Sequence, residues 1–240
     1  MTGGVRPVRV ARQVALGEQV TRALRTDILT RTIQPGVLLV EATLAGQFGV
    51  SRGPVRDALR TLAAEGLIVS AGRSYRVVGL DAQDVRELFA LRRVLEVFAC
   101  TEAATGDPEA CRLAAAAALA EMRIANRARD TYAFAEADVT FHTAFYQASG
   151  NSRLLAVWEQ HVPTLTVLFQ TTNALDTTLS GSVERHRQLL DTVLRGDPAE
   201  IADAVGRHLS EGLDRIMAAY RKAAQPPPEP ADARLLGLGH

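Results

Sequence analysis

The 240-residue chain is 47% apolar and 22% charged, a balance that suits a globular protein long enough for two domains and excludes a disordered or fibrous one. Two cysteines, Cys100 and Cys111, exclude a disulfide framework or a CxxC metal knuckle and point to a reducing, cytoplasmic compartment. The net charge of zero hides a division: residues 1–80 hold 11 Arg against 5 acidic residues, a net +6, and the remainder holds 16 basic against 22 acidic, a net −6.

A small basic unit joined to a larger acidic one is expected where only the first meets a polyanion. All basic residues but Lys222 are arginine, so arginine abundance alone says little about nucleic acid. No run of about 18 apolar residues occurs and the N-terminus lacks an apolar signal core, so neither membrane spanning nor secretion is expected.

Residues 1–14, with Gly3, Gly4 and Pro7 and no clear period, read as a flexible arm. From Ala15 to Thr32, Leu16, Val20, Leu24, Ile28 and Leu29 recur at helical spacing, and Pro35-Gly36 stops the helix. Val37 to Val40 reads as a short strand and Glu41 to Phe48 as a short helix, with Gly49 as the left-handed residue that turns the chain. Ser51 is placed as the N-cap of a second helix running to Glu65, with Pro54 in its first turn, where a missing N–H costs little. Leu67 to Ser70 and Tyr75 to Val78 flank Ala71-Gly72-Arg73-Ser74 as a hairpin. Residues 15–79 form one expected domain.

From Asp81, an N-cap with Asp84 three residues on, the chain reads as helical over 81–104, 108–128, 131–148, 152–171, 177–195 and 198–224. Gly106-Asp107-Pro108 and Gly196-Asp197-Pro198 each combine a stop, an N-cap and a proline at the first helical position. The expected fold is therefore mainly α, with an all-α bundle over 80–224 and a proline-rich, disordered tail over 225–240.

A helix, a glycine turn, a second helix opening on Ser-Arg and then a hairpin is the order of a winged helix-turn-helix, whose second helix enters the major groove N-terminus first. Arg52 and Arg56 are four apart and share a face at that start, in reach of phosphate or a guanine edge. Gly72 and Arg73 at the hairpin tip suit a wing against the minor groove. Each of these arginines taken alone reads equally well as solvated surface.

The run Leu44-Ala45-Gly46-Gln47-Phe48-Gly49-Val50-Ser51-Arg52-Gly53-Pro54-Val55-Arg56-Asp57-Ala58-Leu59, with Leu62 and Glu65-Gly66-Leu67-Ile68, resembles the DNA-binding signature of the GntR family of bacterial regulators. The resemblance covers residues 15–79 and implies that Arg52 and Arg56 are the DNA-contacting arginines and Gly72 the wing glycine, which with Ser51 at the helix start and Arg73 at the hairpin tip make up the expected DNA-binding set. Ala42 stands where some members carry a further Arg.

Asp138 and His142 are i and i+4 on one helix, and His186 and His208 lie on two later ones. Such a set suits a borderline divalent ion, although an Asp-His pair at this spacing is also an ordinary surface contact. His161 has no partner at informative spacing and reads as structural. Arg92-Arg93-Val94-Leu95-Glu96, the stretch Asp138 to Asn151, His186 and His208 are together similar to the FCD sensor domain of the FadR subfamily. That likeness implies a metal, zinc or nickel, on Asp138, His142, His186 and His208, and an organic-acid effector on Arg92. Arg92 otherwise pairs with Glu96 four residues on.

The resemblance thus implies no enzyme but a homodimeric repressor of a palindromic operator in double-stranded DNA, released by a small carboxylate. Two alternatives stay open at this point: a metal-dependent hydrolase fused to a DNA-binding head, which would need a general base not evident here, and a regulator whose metal is purely structural.

Overall fold

A computed structural model of the chain describes residues 7–175, 179 and 181–224. The helical stripe Val20, Leu24, Ile28 on α1 (Pro7–Leu29) is buried against α3 (Arg52–Ala64), whose Val55, Ala58, Leu59 and Leu62 are fully inaccessible. Between them in the chain lie β1 (Leu38–Leu39) and α2 (Glu41–Phe48), and after α3 come β2 (Ile68–Ala71) and β3 (Ser74–Val77). The three strands form an antiparallel sheet in the order β1-β3-β2, with Ile68 opposite Val77 and Ala71 opposite Ser74. Gly72 begins the two-residue loop of this hairpin at φ 69°, a left-handed conformation that glycine takes without strain.

Six helices follow: α4 (Ala82–Thr105), α5 (Pro108–Ala128), α6 (Thr131–Ala148), α7 (Ser152–Leu175), α8 (Ser182–Arg195) and α9 (Pro198–Ala224). Their starts obey the local chemistry of the sequence. Asp81 accepts from the backbone N–H of Gln83 and Asp84 while Asp84 accepts from that of Asp81, a reciprocal capping box. Asp107 accepts from the backbone N–H of Ala110 at the start of α5, and Asp197 from those of Ala199 and Glu200 at the start of α9, each followed by proline. Their common core is rich in aromatics, with Phe134, Phe141, Phe145, Tyr146 and Trp158 at most 1% exposed, separate from the core of the head.

Three expectations are corrected. The first helix begins at Pro7 and not at Ala15, so residues 7–14 continue the helix toward the N-terminus. Proline is preorganised for a first helical turn, and neither glycine nor proline interrupts residues 8–16. Next, α7 runs four residues past Thr171 to Leu175. Finally, α8 starts at Ser182, because Gly181 at φ 86° holds a non-helical backbone just before it, and residues 176–178, where the expected start falls, lie outside the described residues. The arm over residues 1–6 and the tail over 225–240 lie outside the described residues.

The head and the bundle meet where α1 lies against α7 and around Leu80 and Glu65. Leu80 packs against both. Glu65, at the end of α3, receives Arg25 of α1 through two hydrogen bonds of 2.8 and 2.5 Å and the hydroxyl of Thr164 of α7 at 3.3 Å. A cavity of about 530 Å³ opens beside this joint. Among the described residues no helix is long and apolar enough to cross a membrane.

Candidate functional site

On the head, Gly49 caps α2 in the left-handed region at φ 63° and swings the chain directly into α3. Ser51 occupies the N-cap position in extended backbone, yet its hydroxyl makes no capping hydrogen bond, contrary to the usual role of serine there. Arg52, Arg56, Gly72 and Arg73 are all exposed. Arg56 is held by Glu41 of α2, Nε to Oε1 and Nη2 to Oε2 both at 3.2 Å, whereas Arg52 and Arg73 have no ion-pair partner among the described residues. Ala42 is exposed beside Glu41 and carries no hydrogen-bonding group.

In the helical bundle, four elements deliver side chains to one point. Helical spacing sets Asp138 beside His142 on α6 and Arg92 beside Glu96 on α4, while α8 and α9 bring His186 and His208. The imidazole nitrogens of His142, His186 and His208 available for ligation lie within 4.8 Å of one another. Nε2 of His142 is 3.3 Å from Nε2 of His208 and 3.6 Å from Asp138 Oδ1, and Nε2 of His186 is 3.3 Å from Asp138 Oδ2.

The far sides of two rings are fixed. His186 Nδ1 donates to the carbonyl of Ser182 at 2.7 Å, and His142 Nδ1 lies 2.5 Å from Glu96 Oε1, close although not aligned as a hydrogen bond. Such partners behind a ligating imidazole set its tautomer and leave Nε2 with a lone pair facing the centre. Burial, and then the charge of Arg92, push His142 well below the ordinary imidazole range. Burial also pushes His208 down, with His186 and His142 adding to it. Burial opposes ionisation of Asp138, but the adjacent His186, with His142 and Arg92 adding to it, outweighs burial and holds the carboxyl well below its usual range. A carboxylate beside imidazoles that resist protonation, as those of His142 and His208 do, suits a divalent cation, which competes with protons for such donors. His186 Nε2 is moreover buried without a hydrogen-bond partner, so the donor set fits a metal.

Arg92 borders the same space. Its Nε donates to Glu96 Oε2 at 2.9 Å, with both side chains at most 3% exposed, and its guanidinium sits 5.5–5.6 Å from the rings of Phe89, Trp158 and Phe169. Its Nη2 is buried with no partner. The two sequence readings of Arg92 are thus compatible, since pairing with Glu96 uses one edge of the guanidinium and leaves another free. The space in front of Arg92, Asp138, His142 and His208 is a cavity of about 40 Å³.

The structure therefore brings together Arg92, Asp138, His142, His186 and His208. It leaves His161 apart, at the joint near Glu65. Ser182 and the pocket walls Phe169, Thr172, Asn173 and Gly212 escape sequence reasoning, because only the packing of α7, α8 and α9 assigns them to the site.

Residues 87–211 match the FCD domain, and residues 16–77 match the bacterial regulatory proteins of the gntR family. The gluconate operon transcriptional repressor of Bacillus subtilis (strain 168) is 30% identical over 159 residues, which is 66% of this chain and 65% of that protein, so the match spans just under two thirds of the relative. A probable D-xylose utilization operon transcriptional repressor of Paenarthrobacter nicotinovorans is 29% identical over 203 residues, 84% of this chain and 88% of that one. Among solved structures, E. coli McbR/YncC superposes with a TM-score of 0.69 at 20% identity over 85% of this chain and 98% of its own, a likeness of fold. The chain belongs to the GntR family of bacterial regulatory proteins, with a C-terminal FCD domain.

Proposed function

We propose that the protein is a cytoplasmic transcriptional repressor that binds a palindromic operator as a homodimer and is released by a small carboxylate bound at a metal in the helical domain. The observation that carries the sensor half is the convergence of His142, His186, His208 and Asp138 beside a buried guanidinium edge without a partner. The repressor sense is supported by relatives whose names describe operon repressors.

Asp138 and the three imidazoles would hold a borderline divalent ion, zinc or nickel, and a bound ion would supply Lewis-acid attraction for a carboxylate oxygen. The protein's own part is to place Arg92 Nη2 where it donates to the same carboxylate. Its Phe89 and Phe169 walls keep that exchange dry, which strengthens it.

At the head, Arg52 at the start of α3 reads base edges in the major groove, Ser51 and the first N–H groups of α3 take phosphate, and Gly72-Arg73 lies along the minor groove. Arg56 must exchange Glu41 for the DNA. The ion pair is exposed and screened by solvent, so it costs little to break. Ala42 lacks the side-chain contact, to phosphate or to a base, that an Arg at this position gives some members. Two heads on a twofold axis address half-sites about one helical turn apart.

The reading is tested by titrating the protein into duplexes tiled across the DNA flanking its own gene at two salt concentrations. A palindrome bound tightly, with affinity falling steeply as salt rises, supports it. Equal, weak binding to every duplex overturns it.

A further inference from the structure

The cavity of about 530 Å³ at the joint of head and bundle serves neither the DNA-reading face nor the metal site. Its size is that of a small-molecule pocket, which holds about 300–1,000 Å³ and favours domain interfaces. Residues of α1 and α3 form its wall on the head, and residues of α4 and α7 its wall on the bundle. Leu80, Leu88, Leu91 and Pro163 give it an apolar lining. Leu91 is 43% exposed, so the protein leaves part of this carbon surface uncovered.

The charge around that surface has one sign. Glu65, Asp84, Glu87 and Glu159 border the cavity, against a single arginine, Arg25. Arg25 is already engaged by Glu65 through two hydrogen bonds. His161 adds no positive charge at neutral pH, because burial holds its imidazole below the ordinary range and the opposing pull of Glu65 does not reverse this. Asp84 accepts from the backbone N–H of Asp81, and Glu87 from the side-chain amide of Gln83, both neutral donors. Glu159 has no hydrogen-bond or ion-pair partner among the described residues. Asp84 and Glu87, three apart, share one face of α4, and Glu159 stands on α7, so carboxylates border the cavity from two elements. Like charges gathered around a concave space with low-dielectric walls raise its negative potential and concentrate cations there. A merely solvated acidic face needs no carbon surface beneath it, and here the two occur together.

We infer that this cavity is a second ligand site, for a small organic cation: an amine or guanidine on a short aliphatic body. Its charge lies among Asp84, Glu87 and Glu159, and its carbon chain covers Leu80, Leu88 and Leu91. Because head and bundle both line the cavity, the occupant touches the two at once. The inference is independent of the acid proposed for the metal pocket.

The experiment is a calorimetric titration of the full, Ni²⁺-loaded chain with butylguanidinium, whose guanidinium stays charged at every working pH, and with guanidinium and butanol in parallel. Butylguanidinium is expected to bind once per chain. It should bind at least tenfold more tightly than guanidinium, which lacks the carbon chain, and than butanol, which lacks the charge. Glu87→Gln combined with Glu159→Gln should weaken butylguanidinium at least fivefold while leaving the melting temperature of the ligand-free protein equal or higher, since repulsion between carboxylates is relieved. Glu121→Gln combined with Glu136→Gln removes the same charge from α5 and α6, which do not line the cavity, and should leave the affinity unchanged. The inference is overturned if butylguanidinium does not bind, or if guanidinium or butanol binds as tightly. Unchanged affinity in the first double variant, or an equal loss in both, overturns it as well.

Discussion

Glu96 is the residue on which the pocket turns, and Glu96→Gln isolates its charge at constant shape. In the native protein Glu96 is fully buried, it neutralises Arg92 at 2.9 Å, and it backs His142 at 2.5 Å. Removing its charge takes from the guanidinium of Arg92, 4% exposed, its directly paired counter-ion and leaves only the Asp138 carboxylate across the pocket. Breaking one partner out of a buried pair costs about 3–5 kcal/mol, and since Gln can still accept one hydrogen bond the lower end, about 3 kcal/mol, applies. The rings of Phe89, Trp158 and Phe169 around Arg92 already stabilise it in the wild type, so they offer nothing new to offset the loss.

For a chain of this size about 3 kcal/mol corresponds to a fall of roughly 6–12 °C in melting temperature. The single tryptophan, Trp158, is buried in the same bundle and stacked on Tyr146 at 4.5 Å, so its fluorescence in urea reports this domain and not the head. Adding Arg92→Met to Glu96→Gln should restore much of the loss, because the two changes act on one interaction. A Glu96→Gln protein within about 0.5 kcal/mol of wild type, as for an ordinary surface change, would refute the assignment of Glu96 as the counter-ion that holds the site.

Other outcomes follow from the same geometry. Arg52→Ala should weaken operator binding by about 1–3 kcal/mol and relax base preference at one position of each half-site, read by competition between matched and mismatched duplexes. His208→Ala should lower metal content sharply while leaving operator affinity in the absence of acid unchanged, read by metal analysis alongside a DNA titration. Burial raises the Cys100 thiol well above its ordinary range and pushes Cys111 up to about 11, so both should resist alkylation at pH 8 in the native protein. Mass spectrometry should find both modified together only once urea unfolds the bundle.

How much of this was legible beforehand depended on whether the cause was local. Asp81, Asp107 and Asp197 announce helix starts because an N-cap acts within three residues of itself, and the structure places α4, α5 and α9 within a residue or so of where those signals put them. The same holds for the hairpin around Gly72, where a tight turn needs left-handed backbone at a fixed place. Pro7 was the opposite case. It reads as a breaker beside Gly3 and Gly4, yet proline ends a helix only from its interior and here stands at the first turn.

In the pocket, Asp138, His142, His186 and His208 stood out through the likeness to the FCD sensor domain, because an Asp-His pair at i, i+4 is by itself an ordinary helix contact. Their supports did not: the carbonyl of Ser182 belongs to the backbone, and Glu96 looked like half of an ordinary i, i+4 ion pair. Thr172, Asn173 and Gly212 become pocket residues only through the way α7 and α9 pack around α4, and no spacing within either helix encodes that.

The claim at the centre of this account is that the buried pocket and the distant DNA-reading face are coupled, and one titration addresses it most directly. The dissociation constant for the operator would be measured by fluorescence anisotropy on Ni²⁺-loaded wild type and on His208→Ala, each with and without saturating amounts of the acid that binds best. A coupled regulator should show the wild-type operator affinity weakened by about 5- to 150-fold when acid is present, with no change for His208→Ala. Equal operator affinity with and without bound acid in the wild type, or the same weakening in both proteins, would contradict the account.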